Sequence, residues 1–461
     1  MNLVWFRADL RVRDNMALAA ALENGNVVGL YIATPKQWQN HDDARIKLDF
    51  WRRNLEMLEL SLKTLNIPLI YCQVPDYSAV PGVIRNALNT WQIESLHFNA
   101  EYPLNEARRD AKVISLAECQ DVNVGVHHDQ VLLEPGSVLN MSGAPFKVFT
   151  PFAKKCREMI YVPDSINTQA KSASPQVKPA TIPDMVELCD IDWPDPNTNW
   201  SDLWPAGEKA ANERLQNFCS NPITDYKQDR DFPANDGTST LSPWLNAGLV
   251  SIRDCWQQAA SMHSGEGVET WKNELLWREF YRHIIHHTPH VSMSKAYRRE
   301  LDKIPWRHDK EEFGQWCKGN TGIPIIDAAM HQLLETGWMH NRLRMITAMF
   351  LTKHLLIDWR WGEKWFMTHL IDGDFSSNNG GWQWSASTGT DSSPYFRIFN
   401  PVTQSKRFDE AGNFIRRYVP KLTDLDSKSI HEPGLLKPES YPAPLVDLKY
   451  GRERALAAFK K

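Results

Sequence analysis

Between residues 271 and 283 the sequence WKNELLWREFYRH reads as one helix, and its spacing puts Glu274, Trp277 and Tyr281 on a common face. A carboxylate beside two aromatics admits two readings. The face could be half-buried with Glu274 paired to an arginine. Equally, the aromatics could wall a base-sized slot whose carboxyl hydrogen-bonds the polar edge of a nucleobase. A second predicted helix, Ile325 to Leu356, contains GWMHNRLRM, in which Asn341 and Met345 share a face, an amide beside a polarizable thioether. Arg342 and Arg344 point elsewhere, suited to a phosphate and a buried acid or simply to solvent. The segment from Leu370 to Asp391 concentrates glycine, short polar residues and the pair Trp382 and Trp384. Paired tryptophans sit badly in water, so this segment reads as a polar loop walling a buried polar ligand, with a plain surface loop as the alternative. Upstream, GTSTLSP from Gly237 to Pro243 joins hydroxyls to a helix start expected at Ser242. Its free N–H groups could meet a phosphate or merely be capped.

Positioning these groups requires a scaffold, and the chain supplies two kinds. Over the first ~130 residues, short apolar runs (Leu3–Phe6, Val27–Ile32, Pro68–Tyr71, Ser95–Phe98) alternate with helical stretches, the rhythm of a parallel sheet. Phe50, Trp51, Leu55, Leu58, Leu62 and Leu65 mark a crossover helix. No Gly-x-Gly-x-x-Gly follows the first strand; Arg7-Ala8-Asp9-Leu10-Arg11 stands there instead, so this Rossmann-like fold lacks the usual dinucleotide fingerprint. From Tyr161 to Trp204 the composition turns to Pro, Ser, Asp and Asn, and afterwards the pattern is nearly all helical. The expected organisation is an α/β domain over 1–130, a connector over 131–204 and an all-α domain over 205–461, large enough to enclose a cofactor.

Composition sets bounds. Of 461 residues, 42% are hydrophobic and 23% charged, which is globular, and no stretch approaches the ~18 apolar residues of a membrane helix. The N-terminus reads as a strand rather than a secretory signal, so a cytosolic protein is expected. The seven cysteines are scattered without Cys-x-x-Cys, which points to neither a disulfide framework nor a metal site. A net charge of -4 does not decide about DNA, since a polyanion needs only a local basic patch. Nineteen tryptophans are unusual, though packing is the default role for each.

Five segments, in order, carry a resemblance: WFRxDLRxxDN (Trp5–Asn15), GTSxLS (Gly237–Ser242), ELxWREFYR (Glu274–Arg282), GWMHNRLRM (Gly337–Met345) and DGDxxxNNGGWQW (Asp372–Trp384). Over essentially the whole chain the sequence resembles the class I cyclobutane pyrimidine dimer photolyases of the photolyase and cryptochrome family. The resemblance implies light-driven repair of ultraviolet-damaged DNA by electron transfer from FAD. FAD would lie folded in the helical domain, with Tyr226, Thr238, Ser239, Thr240, Leu241 and Ser242 near its phosphates and Trp271 beside the cavity. Asp372, Gly373 and Asp374 would line the isoalloxazine and ribose, with Arg344 paired to Asp372 and Asn378 near flavin N5. A flipped-out dimer would be held by Trp277 and Trp384, with Asn341, Met345 and Tyr281 completing the slot and Glu274 on a pyrimidine carbonyl. Arg230, Arg278, Arg342 and Gln404 would contact DNA. Trp382, Trp359 and Trp306 match the family's tryptophan chain for photoreduction. Asn105 and Glu106 match the pattern that binds an antenna, 5,10-methenyltetrahydrofolate, which His290–Lys295 matches in part.

Rivals are distinguished by the same residues. A (6-4) photolyase would carry histidines in the slot, where Asn341 and Met345 stand. A cryptochrome photoreceptor would usually have altered slot residues and a long C-terminal extension. A DASH-type cryptochrome, acting mainly on single strands, fits less well with the intact bulky slot. An unrelated helical flavoprotein would have no reason to combine slot and tryptophan chain. A monomer without an obligate protein partner is expected from the family.

Overall fold

The structure is a computed structural model that describes residues 1–161, 179–195, 200–262 and 264–460. Six strands, β1 (Asn2–Phe6), β2 (Val27–Ala33), β3 (Leu69–Gln73), β4 (Ser95–Asn99), β5 (Asn123–His127) and β6 (Met185–Val186), form one sheet in the order β5-β4-β1-β2-β3-β6. All neighbours are parallel except β6, which runs antiparallel to β3. The first two strands and β4 are buried throughout, as a sheet covered on both faces requires.

Strand order reverses between β1 and β4, the point where doubly wound sheets usually take a ligand. Here buried charge occupies it. Arg7 pairs with Asp110 at 2.7 Å and Arg109 with Glu101 at 2.7 Å, while both guanidinium groups lie over Trp5 at 4.5 and 4.8 Å. The charged run that replaces a glycine-rich turn after β1 is thus structural.

The chain forms two compact units, residues 1–224 with 239–289 and residues 225–238 with 290–461. The region read as helical from 205 is therefore divided: helices Glu208–Ser220, Ile252–Met262 and Glu266–His287 belong to the unit with the sheet. That unit's core is built on Leu3, Trp5, Val28, Leu30, Ile70, Leu96 and Phe98. The other unit packs Trp316, Met330, Leu343, Phe350, Trp359 and Trp382 into its own core.

Three expectations are corrected. The helix predicted over 325–356 is two helices, Pro324–Thr336 and Asn341–Met349, followed by a π-turn at Phe350–His354. Gly337 ends the first in the left-handed region (φ 68°), and the His340 side chain caps the second by accepting from the backbone N–H of Arg342. The loop read over 370–391 contains a helix, Phe375–Ala386, capped by the Asp374 carboxylate, which accepts from Ser377 N at 2.8 Å. The predicted connector holds a helix, Phe149–Met159, and β6; its stretches 162–178 and 196–199 lie outside the described residues.

Lys353, in the π-turn, is fully buried and donates to Ser387 Oγ at 2.9 Å and the Ala386 carbonyl at 3.2 Å. Burial holds its pKa down to about 7, from 10.5. Below pH 7 folded and unfolded chains both carry this proton; between pH 7 and 10.5 the unfolded chain binds more, so stability rises with pH across that window. Lys353→Met should remove this contribution, so that the melting temperature of wild type climbs relative to the variant between pH 6.5 and 9.5 in paired melts; parallel curves would refute it.

Candidate functional site

Helix Glu266–His287 begins with Glu266 and Glu269, whose negative charge suits the positive end of its dipole. Buried Glu279 fixes its orientation by accepting from the backbone N–H of Leu132 at 3.0 Å and Leu133 at 2.8 Å. On this helix Glu274, Trp277 and Tyr281 are each half-buried, as a shared face predicts. Trp277 is stacked on Phe149 (centroids 3.7 Å, planes 7° apart) and lies 5.8 Å from Tyr281. Sequence spacing gave no sign of Phe149, 128 positions away in a segment read as connector. Trp271 is buried against Phe218, and Arg278 directs its guanidinium to the carbonyls of Gln130 and Leu245.

In the same unit, Thr240 adopts φ 47°, a left-handed conformation that a β-branched residue rarely takes and that tends to persist at functional loops. The short helix begins at Ser242, with Leu241 as its cap residue, and Arg214 Nε ties down the Ser239 carbonyl at 2.7 Å. In the other unit, Thr238 is half-buried, Tyr226 is buried beneath the Arg230 guanidinium, 5.5 Å from its ring, and a Cβ on Gly237 would strike Asp229 at 2.5 Å.

That second unit forms the pair expected beside a flavin. Arg344 Nη2 reaches both Asp372 oxygens, at 2.8 and 3.1 Å, and its Nε donates to the Met339 carbonyl. The next turn, with Gly373 N bonded to Leu370 O, leads to Asp374 and so to the helix carrying Asn378. Asn378 Nδ2 donates to the Glu363 carbonyl at 3.0 Å. Because a carbonyl can only accept, this bond fixes the amide, leaving Oδ1 as the acceptor for another partner. A protonated N5 of reduced flavin is a matching donor, so these residues fit FAD. Helical geometry also separates the two tryptophans: Trp382 is buried in the core and Trp384 half-buried on another side. Gly362 is required there, since a Cβ would lie 2.1 Å from the Trp382 ring.

The remaining candidates vary. Asn341 is exposed, Met345 half-buried one turn on, and Gln404 half-buried in helix Pro401–Phe408. Arg342 is paired with Asp231 at 2.5 Å and lies over Phe408. Trp306 and Trp359 are buried in the same core as Trp382.

Asn105 and Glu106 open helix Leu104–Glu118. Glu106 Oε1 accepts from Tyr77 OH at 3.3 Å and faces His41 Nδ1 at 3.4 Å, while Asn105 Nδ2 meets His41 Nε2 at 3.1 Å. Glu106 Oε2 is buried without a hydrogen-bond partner, and burial raises the carboxyl pKa. An orphaned carboxylate oxygen is expensive unless a ligand supplies N–H donors, and the aminopyrimidinone edge of a pterin has them. These residues fit the folate.

A family model described as "DNA photolyase" matches residues 2–175, and one described as "FAD binding domain of DNA photolyase" matches 271–461. The chain is 44% identical to the deoxyribodipyrimidine photo-lyase of Vibrio cholerae, covering 100% of this chain and 99% of that one. Identity to the Escherichia coli enzyme of that name is 41%, covering 100% and 98%. Among solved structures, a class III photolyase from Agrobacterium tumefaciens superposes with a TM-score of 0.88 at 34% identity, covering 100% and 97%. A Synechocystis cryptochrome superposes with 0.88 at 26%, covering 99% of each chain. Full-length identity at this level, with the Arg344–Asp372 pair and the oriented Asn378 in place, means that the chain belongs to the DNA photolyase family.

Proposed function

We propose that the protein is a deoxyribodipyrimidine photo-lyase that carries FAD and repairs cyclobutane pyrimidine dimers in DNA under blue light. The observation that carries this reading is the full-length relation to enzymes of that name, at 44% and 41% identity. In this reading the protein acts on damaged DNA as a monomer in the cytosol. Among the described residues no helix is long and apolar enough to cross a membrane.

FAD, when bound in its reduced form and excited by light, supplies the electron that splits the cyclobutane ring. The chain's own residues do the rest. Asn378 Oδ1 would accept a hydrogen bond from N5–H, favouring the reduced cofactor, and Arg344 with Asp372 would stand beside it as a mutually neutral pair. Trp277 and Trp384 stack and flank the extruded dimer, with Tyr281, Asn341 and Met345 beside them. Glu274 donates its carboxyl O–H to a pyrimidine carbonyl, a contact that strengthens as that oxygen gains charge, so it stabilises the reacting state more than the bound one. Arg230 and Gln404 contact DNA. Arg278 and Arg342, tied to a carbonyl at 2.5 Å and to Asp231 at 2.5 Å, contact it only by exchanging or sharing those partners.

The test is direct. Reduced protein mixed with a dimer-containing oligonucleotide should restore thymine absorbance in blue light and not in darkness, and Glu274→Ala with Trp277→Ala should abolish the recovery. No recovery from reduced, FAD-loaded protein would overturn the reading.

The antenna in this reading is 5,10-methenyltetrahydrofolate, held through Asn105 and Glu106. Glu106→Gln should lower folate retention about tenfold, because an amide replaces one acceptor oxygen with a donor facing donors. Folate absorbance per flavin after purification measures it, and unchanged occupancy would remove Glu106 from the site.

A further inference from the structure

In the run Trp5–Asn15, Arg7 braces the sheet, but Asp9, Arg11, Asp14 and Asn15 are buried as well. Two of these lead to Asp129, just beyond β5. Arg11 Nη2 donates to one Asp129 oxygen at 2.5 Å, and Arg253 Nη2 donates to the other at 2.6 Å. Arg253 Nε is itself held by Asp14 at 3.0 Å, and Arg11 Nη1 by the Gly248 carbonyl at 3.0 Å. Burial alone would raise the Asp129 pKa, but the two guanidinium groups hold the carboxyl below the usual carboxylate range. Asp129 is thus a fixed anchor that does not titrate near neutral pH.

From this anchor the chain runs along the back of helix Glu266–His287. Arg278 Nη1 donates to the Gln130 carbonyl at 2.5 Å, and Glu279 accepts from Leu132 N and Leu133 N. His283 Nε2 meets the Leu133 carbonyl at 3.1 Å, and because a carbonyl only accepts, Nε2 carries the hydrogen. His283 Nδ1 is buried without a hydrogen-bond partner among the described residues. At about 100° per residue, Glu279 and His283 lie on the face opposite Glu274, Trp277 and Tyr281. Residues 129–133 therefore form a rail, pinned at one end by two arginines and bonded through its backbone to the side of the helix that faces away from the slot. Phe152, 5.1 Å from the His283 ring, belongs to the helix whose Phe149 backs Trp277.

We propose that Arg11, Asp129 and His283 are positioning residues for dimer recognition: through residues 129–133 they set where Glu274 and Trp277 stand when an extruded base arrives. The proposal rests on the photo-lyase reading above. None of the three touches the base. They act because a helix bonded from behind cannot slide along its axis or roll, and a displacement of ~1 Å is enough to spoil a set of directed contacts. A slot held in place before the base arrives also lowers the ordering cost of binding.

Affinity for a dimer-containing duplex and for the same duplex undamaged is measured for wild type, His283→Leu, His283→Gln and Arg11→Lys. Each is compared at equal flavin content and with matching far-ultraviolet circular dichroism. His283→Leu keeps an apolar contact for Phe152 and deletes the bond to Leu133, whereas His283→Gln supplies an N–H of similar reach. His283→Leu should weaken dimer binding about fivefold, the net worth of one hydrogen bond, and His283→Gln should return to within about twofold of wild type. Binding to undamaged duplex should be unchanged in both. Arg11→Lys keeps the charge but loses the fork that joins Gly248 to Asp129. It should weaken dimer binding selectively and, with no DNA present, speed amide hydrogen exchange at Leu132 and Leu133. Should His283→Leu fail to fold, Arg11→Lys decides by the same readouts. Unchanged dimer affinity in these two variants, equal weakening toward both duplexes, or His283→Gln as weak as His283→Leu overturns the proposal. A wild type that does not prefer the dimer-containing duplex would strike the photo-lyase reading instead, and exchange at Leu132 and Leu133 would still decide whether Arg11 anchors the rail.

Discussion

Asp372→Asn is expected to lower the FAD content of the purified protein. Both oxygens of this buried carboxylate receive Arg344 Nη2, at 2.8 and 3.1 Å, and Arg344 is held from behind by the Met339 carbonyl. An amide offers one acceptor where the carboxylate offered two and cancels none of the guanidinium charge. Breaking a fully buried pair by removing one partner costs ~3–5 kcal/mol, but the Arg344 side chain is 25% exposed, so solvent screening reduces that to about 2 kcal/mol. If FAD binds only the intact pair, its affinity falls about thirtyfold. The turn from Asp372 also leads through Gly373 to Asp374, the cap of the helix that carries Asn378, so a loosened Arg344 contact moves Asn378, the proposed N5 acceptor, as well. Flavin absorbance per mole of protein after purification checks this, with far-ultraviolet circular dichroism to establish that the chain is folded. Full flavin content in Asp372→Asn would show that the pair is structural and not part of the cofactor site.

The sheet was legible because β1, β2 and β4 are buried on both faces and therefore read as unbroken apolar runs. β5 was not: its residues are exposed or half-buried, at the sheet edge, and Asn123-Val-Gly-Val-His127 offers no such run. The helix at Phe375–Ala386 was hidden for a different reason. Ser376, Ser377, Asn378, Asn379, Gly380 and Gly381 are poor helix formers, and tertiary partners override them: Glu363 holds Asn378 and Asn379, and Asn379 receives Gln383 Nε2 at 2.9 Å. Such a helix, unfavourable on its own and fixed by amide bonds, presents polar side chains at set angles, which a loop would not. The residue types of the candidate site were legible through long motifs, whereas their supports were not. Phe149 behind Trp277, the Leu132 and Leu133 N–H groups bound by Glu279, and Glu363 behind Asn378 act across the sequence, where spacing carries no signal.

Trp277→Ala should weaken binding to dimer-containing DNA by roughly 5- to 150-fold, the ~1–3 kcal/mol that base–aromatic stacking is worth. Phe149 already covers one face of the indole at 3.7 Å, so an extruded base meets only the rest of a ring that is held parallel and cannot tilt away. Holding the ring before the base arrives lowers the ordering cost of binding, which is why Phe149→Ala should also weaken binding, by a smaller factor, although Phe149 need not touch the base. The two effects separate by salt. Phosphate contacts govern the salt dependence of DNA affinity, and neither substitution removes a charge, so the slope of log affinity against log salt should be the same in wild type and both variants. Affinity for undamaged duplex, which extrudes nothing, should likewise be unchanged. Equal weakening toward damaged and undamaged DNA in Trp277→Ala would mean that this helix face meets the duplex from outside and that the base is received elsewhere.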